Sequence, residues 1–345
     1  MEDRASSGDI GLNGWGTSDL TLDKIYTEEK KMFDVVAMNN PGLILPRAAR
    51  EPNLDKILQV QKVMRDNGME EGFWFGALEI AVFGSSLEWI EQLIGSCVAS
   101  GGMRACASRM LAEVFLLNDP ESLFGTSLIG PNNLAHFAPY SYRNGRKRAG
   151  LNGNGDGSYC SVHCEGLAED GQLLCSTPGL GEYSDTFPEP QSASTYRKWG
   201  ANDTLVNRFL AEGRKYKLLE SPKIDSPDQA KDLLLAFKPF MVCSGWAFKP
   251  DYVHPTWKLA DGSPVVIYKR DTSTSWAHNM TIWGWVRVGN RWYVVVLNSW
   301  PKNSHKNGRF FVIPIELYGE WVSRSEQQAI GEIDMADNSS PVLAV

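Results

Sequence analysis

Three residues in this chain have the types and local settings for acyl transfer by a thiol. A nucleophilic cysteine needs a stabilised thiolate, an imidazole within hydrogen-bond reach and a third group that fixes the imidazole ring. Cys97 lies in Gly95-Ser96-Cys97, a turn feeding the start of a helix. There, unpaired backbone N–H groups and the helix dipole favour negative charge. His278 begins a strand-like run, and Asn298 closes the next one in Asn298-Ser299-Trp300. Between the two runs sits Gly289-Asn290, a two-residue hairpin turn. One hairpin is therefore expected to bring His278 and Asn298 together. Cys106, further along the same helical stretch, is a rival nucleophile, and a buried inert thiol is the alternative for either cysteine.

The elements that must position these residues follow from periodicity and punctuation. The spacing of Leu54, Ile57, Leu58, Val60 and Val63 predicts an amphipathic helix over 54–67. The run 72–83 is so apolar that periodicity does not separate a buried strand from a buried helix. A helix is expected over 96–118, stopped by Asn118-Asp119-Pro120, followed by a loop-rich region over 119–158. Further helices are expected over 159–170, 203–217 and 226–237, the last opened by Ser226-Pro227-Asp228. The final third turns β-branched and aromatic, with strands expected over 240–248, 263–268, 279–288, 291–298 and 309–315. Helices first and an antiparallel sheet afterwards is an α+β pattern.

Gln92 ahead of Gly-Ser-Cys at a helix head, a His opening a strand and Asn-Ser-Trp ending the next resemble the papain-like cysteine peptidases. Two further stretches are similar to that family: Gly157-Ser158-Tyr159 before a short helix, like one wall of the substrate groove, and Lys238-Pro239 leading into the strand that precedes the His. The resemblance implies a papain-like, two-lobed α+β fold. Its N-terminal helical lobe would be headed by Cys97, and its C-terminal antiparallel β-sheet lobe would carry His278 and Asn298. It also implies roles: Cys97 as nucleophile, His278 as general base and acid, Asn298 as the group orienting the ring. Gln92 with the Cys97 N–H would form the oxyanion hole, and Trp300 would shield the His–Asn bond. Gly157 and Ser158 would offer backbone groups to an extended peptide. The implied reaction is peptide-bond hydrolysis through a thiolate–imidazolium pair and a thioester, with no cofactor. Residues 85–330 would be the peptidase domain, 1–84 an N-terminal extension or propeptide-like segment, and 331–345 a tail. Val98, Pro301 and the pair Gly101-Gly102 depart from the family pattern. Each of those glycines, inside a helix, costs about 1 kcal/mol relative to alanine.

Composition bounds the function class. With 34 Lys plus Arg against 41 Asp plus Glu, the net charge of −7 argues against nucleic acid, which a basic surface would bind by releasing counterions. No apolar run reaches the ~18 residues of a membrane helix. The acidic, polar start lacks the apolar core of a secretory signal, so a cytoplasmic setting is expected. Six cysteines in 345 residues are too few for a disulfide scaffold, and reduced thiols with no structural disulfide are the expectation. Cys160, His163, Cys164 and Cys175 have the types of zinc ligands but match no common zinc spacing, so no metal is assigned. The basic stretch 143–148 reads as a solvated loop, and 152–157 is only superficially similar to a calcium loop, lacking its terminal Glu. Two other function classes stay open. One is a papain-fold structural or interaction component, for example part of a virion or a larger assembly. The other is a different thiol acyl-transfer enzyme, such as an amidase or transglutaminase. The partner expected on the leading reading is a peptide or protein substrate.

Overall fold

In a computed structural model of the chain, the described residues are 53–86, 92, 94–117, 136–151, 156–184, 192–301 and 304–333. Helix α1 (Leu54–Asp66) leads into strand β1 (Glu71–Trp74) and helix α2 (Phe75–Phe83). There follow α3 (Cys97–Phe115), α4 (Ala138–Arg148), α5 (Cys160–Asp170), α6 (Ala193–Gly200), α7 (Asp203–Arg208), α8 (Leu210–Gly213) and α9 (Pro227–Leu235). The sheet comes next: β2 (Phe240–Lys258), β3 (Pro264–Val288), β4 (Arg291–Leu297), β5 (Phe310–Pro314), then α10 (Ile315–Val322) and β6 (Glu326–Ala329). The strands lie in the order β4-β5-β3-β2-β6, with β1 also paired to β3. Every pairing is antiparallel except a single parallel match of Ile267 with Val312. The α+β order expected from the sequence is the observed one.

The ambiguous apolar run is both things. Gly72 to Trp74 pair with β3, in register with Val286 to Gly284, and the chain turns into α2 at Phe75. Residues 72–79, which span the switch, are all buried, so neither a period of two nor one of 3.6 marks them. Residues 54–83, assigned from sequence to the N-terminal extension, pack Ile57, Phe73, Phe75 and Leu78 into the same core as α3 and the sheet. Residues 263–268 and 279–288 are not separate strands but parts of the one strand β3, which β2 follows through several bulges.

The loop-rich reading of 119–158 needs correcting. Residues 118–135 and 152–155 lie outside the described part, but 138–148 form α4, begun by Pro139 in its first turn. The basic stretch is not a solvated loop either. Arg143 bonds Asp203 Oδ1 (2.9 Å) and the Gly200 carbonyl, and Arg146 is 1% exposed, its guanidinium reaching the carbonyls of Leu151 and Gly157. These arginines are internal braces between α4 and its neighbours.

Helix α3 runs through the centre, buried from Cys97 to Val114. Its orientation is set by contacts on two sides. A buried ion pair joins Arg104 to Glu79 of α2, and the Arg104 guanidinium lies 5.3 Å over the Trp283 ring of β3. Trp283 Nε1 in turn donates to Ser108 Oγ (3.0 Å). No helix among the described residues is long and apolar enough to cross a membrane.

Candidate active site

Cys97 is the first residue of α3, so its own N–H and that of Val98 have no partner within the helix and point at the thiol. A third N–H arrives from β3: the backbone of Asn279, the residue after His278, bonds the Cys97 sulfur. That bond seats the His-bearing strand against Cys97. Burial, the largest influence, pushes the thiol above its ordinary value, and the three N–H groups oppose it. Burial likewise holds the His278 imidazole down to about 4, against the upward pull of its bond to Asn298. Desolvation thus opposes charge on both partners.

His278 Nε2 lies 2.7 Å from Asn298 Oδ1, and both residues are buried. The expected hairpin makes this contact: β3 and β4 pair from Thr281 with Leu297 down to Val288 with Arg291, closed by Gly289 at φ +60°. The Trp300 ring stacks on His278, with centroids 4.8 Å apart and planes at 28°. The Trp300 side chain is half-buried. Gln92 is tied to the same turn twice, its N–H donating to the Ser299 carbonyl (2.7 Å) and its Oε1 accepting from Ser299 Oγ (3.2 Å). With Oε1 engaged, the amide N–H groups of Gln92 are the ones left to donate.

The groove wall is held differently from expectation. Gly157, at φ +101°, donates its N–H to the Gly95 carbonyl (3.0 Å), and its carbonyl faces Arg146. Both its backbone groups are engaged within the protein, so it anchors the wall to the turn before Cys97. Gly95 permits this seam: a Cβ there would lie 2.4 Å from Asp156 Cβ.

The two glycines inside α3 have a physical reason. A Cβ at Gly101 would stand 1.9 Å from Asn279 Oδ1, and one at Gly102 would stand 2.5 Å from His163 Nε2. Thr281 Oγ1 also donates to the Gly101 carbonyl (3.0 Å). Their helix-propensity cost is therefore the condition for β3 and α5 to approach α3. Gly101→Ala is expected to destabilise the protein by about 1–3 kcal/mol, as overpacking does, measured as a lower urea midpoint. An unchanged midpoint would show that Asn279 yields without strain.

Two features were not anticipated. Cys160 and Cys243 form a disulfide between the head of α5 and β2, so the expectation of six reduced thiols is wrong. The two cysteines are 83 residues apart in sequence, and nothing local to either marks the other. The bond removes Cys160 from any zinc set, and cysteine usage no longer argues for a reducing compartment. It lies beside the site: Cys243 pairs with Asn279 across the sheet, and Asn279 Nδ2 points at both sulfurs (3.1 and 3.5 Å). The second feature is His305, whose Nε2 lies 2.9 Å from Asn298 Nδ2. The remaining rival thiol, Cys106, is fully buried within α3, and burial raises it well above its ordinary value.

Neither a family model nor a curated protein matches the chain. Among solved structures it is similar to xylellain, a cysteine protease from Xylella fastidiosa (14% identity, TM-score 0.47, 81% of this chain and 89% of that one). It is also similar to procathepsin B S9 from Trypanosoma congolense (12% identity, TM-score 0.45, 77% and 78%) and procathepsin L 3 of Tenebrio molitor (10% identity, TM-score 0.43, 87% and 98%). Cys97 heads the central helix, His278 lies on the strand packed against it and Asn298 closes the next strand, within a fold that is α+β.

Proposed function

We propose that the chain hydrolyses peptide bonds with Cys97 as nucleophile. One observation carries the reading. His278 gives its Nε2 side to Asn298 at 2.7 Å, which leaves Nδ1 for the thiol whose sulfur receives the Asn279 N–H. The Cys97 proton passes to His278 Nδ1 as sulfur attacks the peptide carbonyl. The developing oxyanion is met by the Cys97 N–H and the Gln92 amide. The C–N bond breaks, the leaving amine takes the proton from His278, and a thioester remains. Water then attacks, its proton going to His278 and on to the departing sulfur, releasing the acid and restoring the thiol. The substrate on this reading is an extended peptide running past Ser158, and no step calls for a cofactor.

The test is peptide hydrolysis by the parent and by Asn298→Ala, with covalent labelling of Cys97 by a thiol-directed electrophile. In the variant the imidazole is free to rotate, and kcat should fall by about 10- to 100-fold, roughly 1.4–2.8 kcal/mol of barrier, with the unfolding midpoint near the parent's. An Asn298→Ala protein with undiminished kcat would remove Asn298 from the mechanism. A parent whose Cys97 is labelled but which hydrolyses no peptide would favour a different thiol acyl-transfer reaction, and a Cys97 that resists the electrophile would favour an interaction role.

A further inference from the structure

We propose that His305 is a positioning residue that extends the catalytic relay to Cys97–His278–Asn298–His305, by fixing which end of the Asn298 carboxamide faces His278. The inference rests on the peptidase reading of the site. A carboxamide is nearly symmetric in shape, and its two orientations differ only in which side accepts and which donates. Only one serves the chemistry. With Oδ1 toward His278, the ring must carry its proton on Nε2, which leaves Nδ1 as the base. In the flipped orientation an N–H would face His278 Nε2, drive the proton to Nδ1 and close the ring to the Cys97 proton.

The choice is made on the far side of Asn298. Its Nδ2 lies 2.9 Å from His305 Nε2, and a neutral His305 with its proton on Nδ1 presents a lone pair there. The flipped carboxamide would set Oδ1 against that lone pair. The surroundings keep His305 neutral. It is 7% exposed and enclosed by the rings of Tyr268, Trp276, Trp300 and Phe311. The titratable groups facing it are Tyr268, whose hydroxyl accepts the Lys306 N–H (2.7 Å), and His278. Burial, and after it charge on His278, lower the His305 imidazole to about 4. His305 therefore stays neutral at the moment His278 takes the thiol proton, and with Asn298 Nδ2 facing its Nε2 that nitrogen is the acceptor.

The backbone holds the ring in place. His305 and Gly308 exchange both N–H···O bonds (3.1 and 3.0 Å), and the Asn298 N–H donates to the Arg309 carbonyl (3.0 Å). Trp300 lies over both imidazoles, its plane 28° from His278 and 20° from His305. One indole thus screens both bonds of Asn298 from water.

Two variants and one spectroscopic measurement test this. His305→Phe keeps an aromatic ring and removes the acceptor; His305→Gln restores an acceptor oxygen at similar reach. With a peptide substrate, His305→Phe should lose about tenfold in kcat, the scale of one lost hydrogen bond, with KM unchanged. His305→Gln should stay within about threefold of the parent. Nitrogen-15 spectra of the imidazoles at pH 7 should show His278 protonated at Nε2 and His305 unprotonated at Nε2. In His305→Phe, the His278 signal should move toward the Nδ1-protonated tautomer. The spectra do not depend on turnover, so a parent that cleaves no peptide defeats the functional reading while the tautomers still decide the role of His305. A proton on His305 Nε2 in the parent would overturn the proposal. So would equal losses in both variants, or an unmoved His278 tautomer in His305→Phe.

Discussion

On the proposed peptidase reading, Cys97→Ala should abolish hydrolysis, a fall in kcat of at least about 10⁴-fold on the scale of other nucleophile deletions, while the protein stays folded. The side chain sits at the first position of α3 and is 7% exposed, so alanine there removes one buried sulfur and keeps the helix start. Cys106→Ala does the reverse. Its thiol is fully buried in the middle of α3 with no imidazole assigned to it, so it should lose stability and keep most of its activity. Peptide hydrolysis and urea unfolding on the two variants separate the cases. Loss of activity in a folded Cys106→Ala protein would reassign the nucleophile.

The second large effect is on stability. Opening the Cys160–Cys243 bond releases a constraint across 83 residues, worth about 4.5 kcal/mol in the chain-entropy relation. The Cys160→Ser, Cys243→Ser double variant should therefore unfold at markedly lower urea. Reductant should lower the parent's midpoint to the same place and leave the variant's unchanged. A parent indifferent to reductant would mean that the bond does not form in solution.

The site was legible where chemistry and local pattern coincide. Cys97 after Gly-Ser, His278 at a strand start and Asn298 before Ser-Trp each announce themselves by residue type, and Gly289-Asn290 fixes the turn between the last two. The rest depends on tertiary contacts that leave no local trace. His305 follows no periodic element and gains its meaning only from Asn298 and the rings around it. The disulfide joins residues far apart in the chain. Helix α4 reads as polar and charged, and only the carbonyls and the carboxylate that receive Arg143 and Arg146 explain how it becomes interior. The strand-to-helix switch at Phe75 is hidden because everything around it is apolar and buried.

The contact between Gly101 and Asn279 has an evolutionary consequence. Two positions 178 residues apart share one small volume, since 279 − 101 = 178 and a Cβ at the first would strike the side chain of the second. Neither is free to drift alone. A lineage that acquires alanine at 101 is under pressure to shorten residue 279, and once 279 is small, the glycine is no longer required. Aligned descendants should show the two columns changing together, large beside glycine and small beside alanine, although neither residue carries out a step of the reaction.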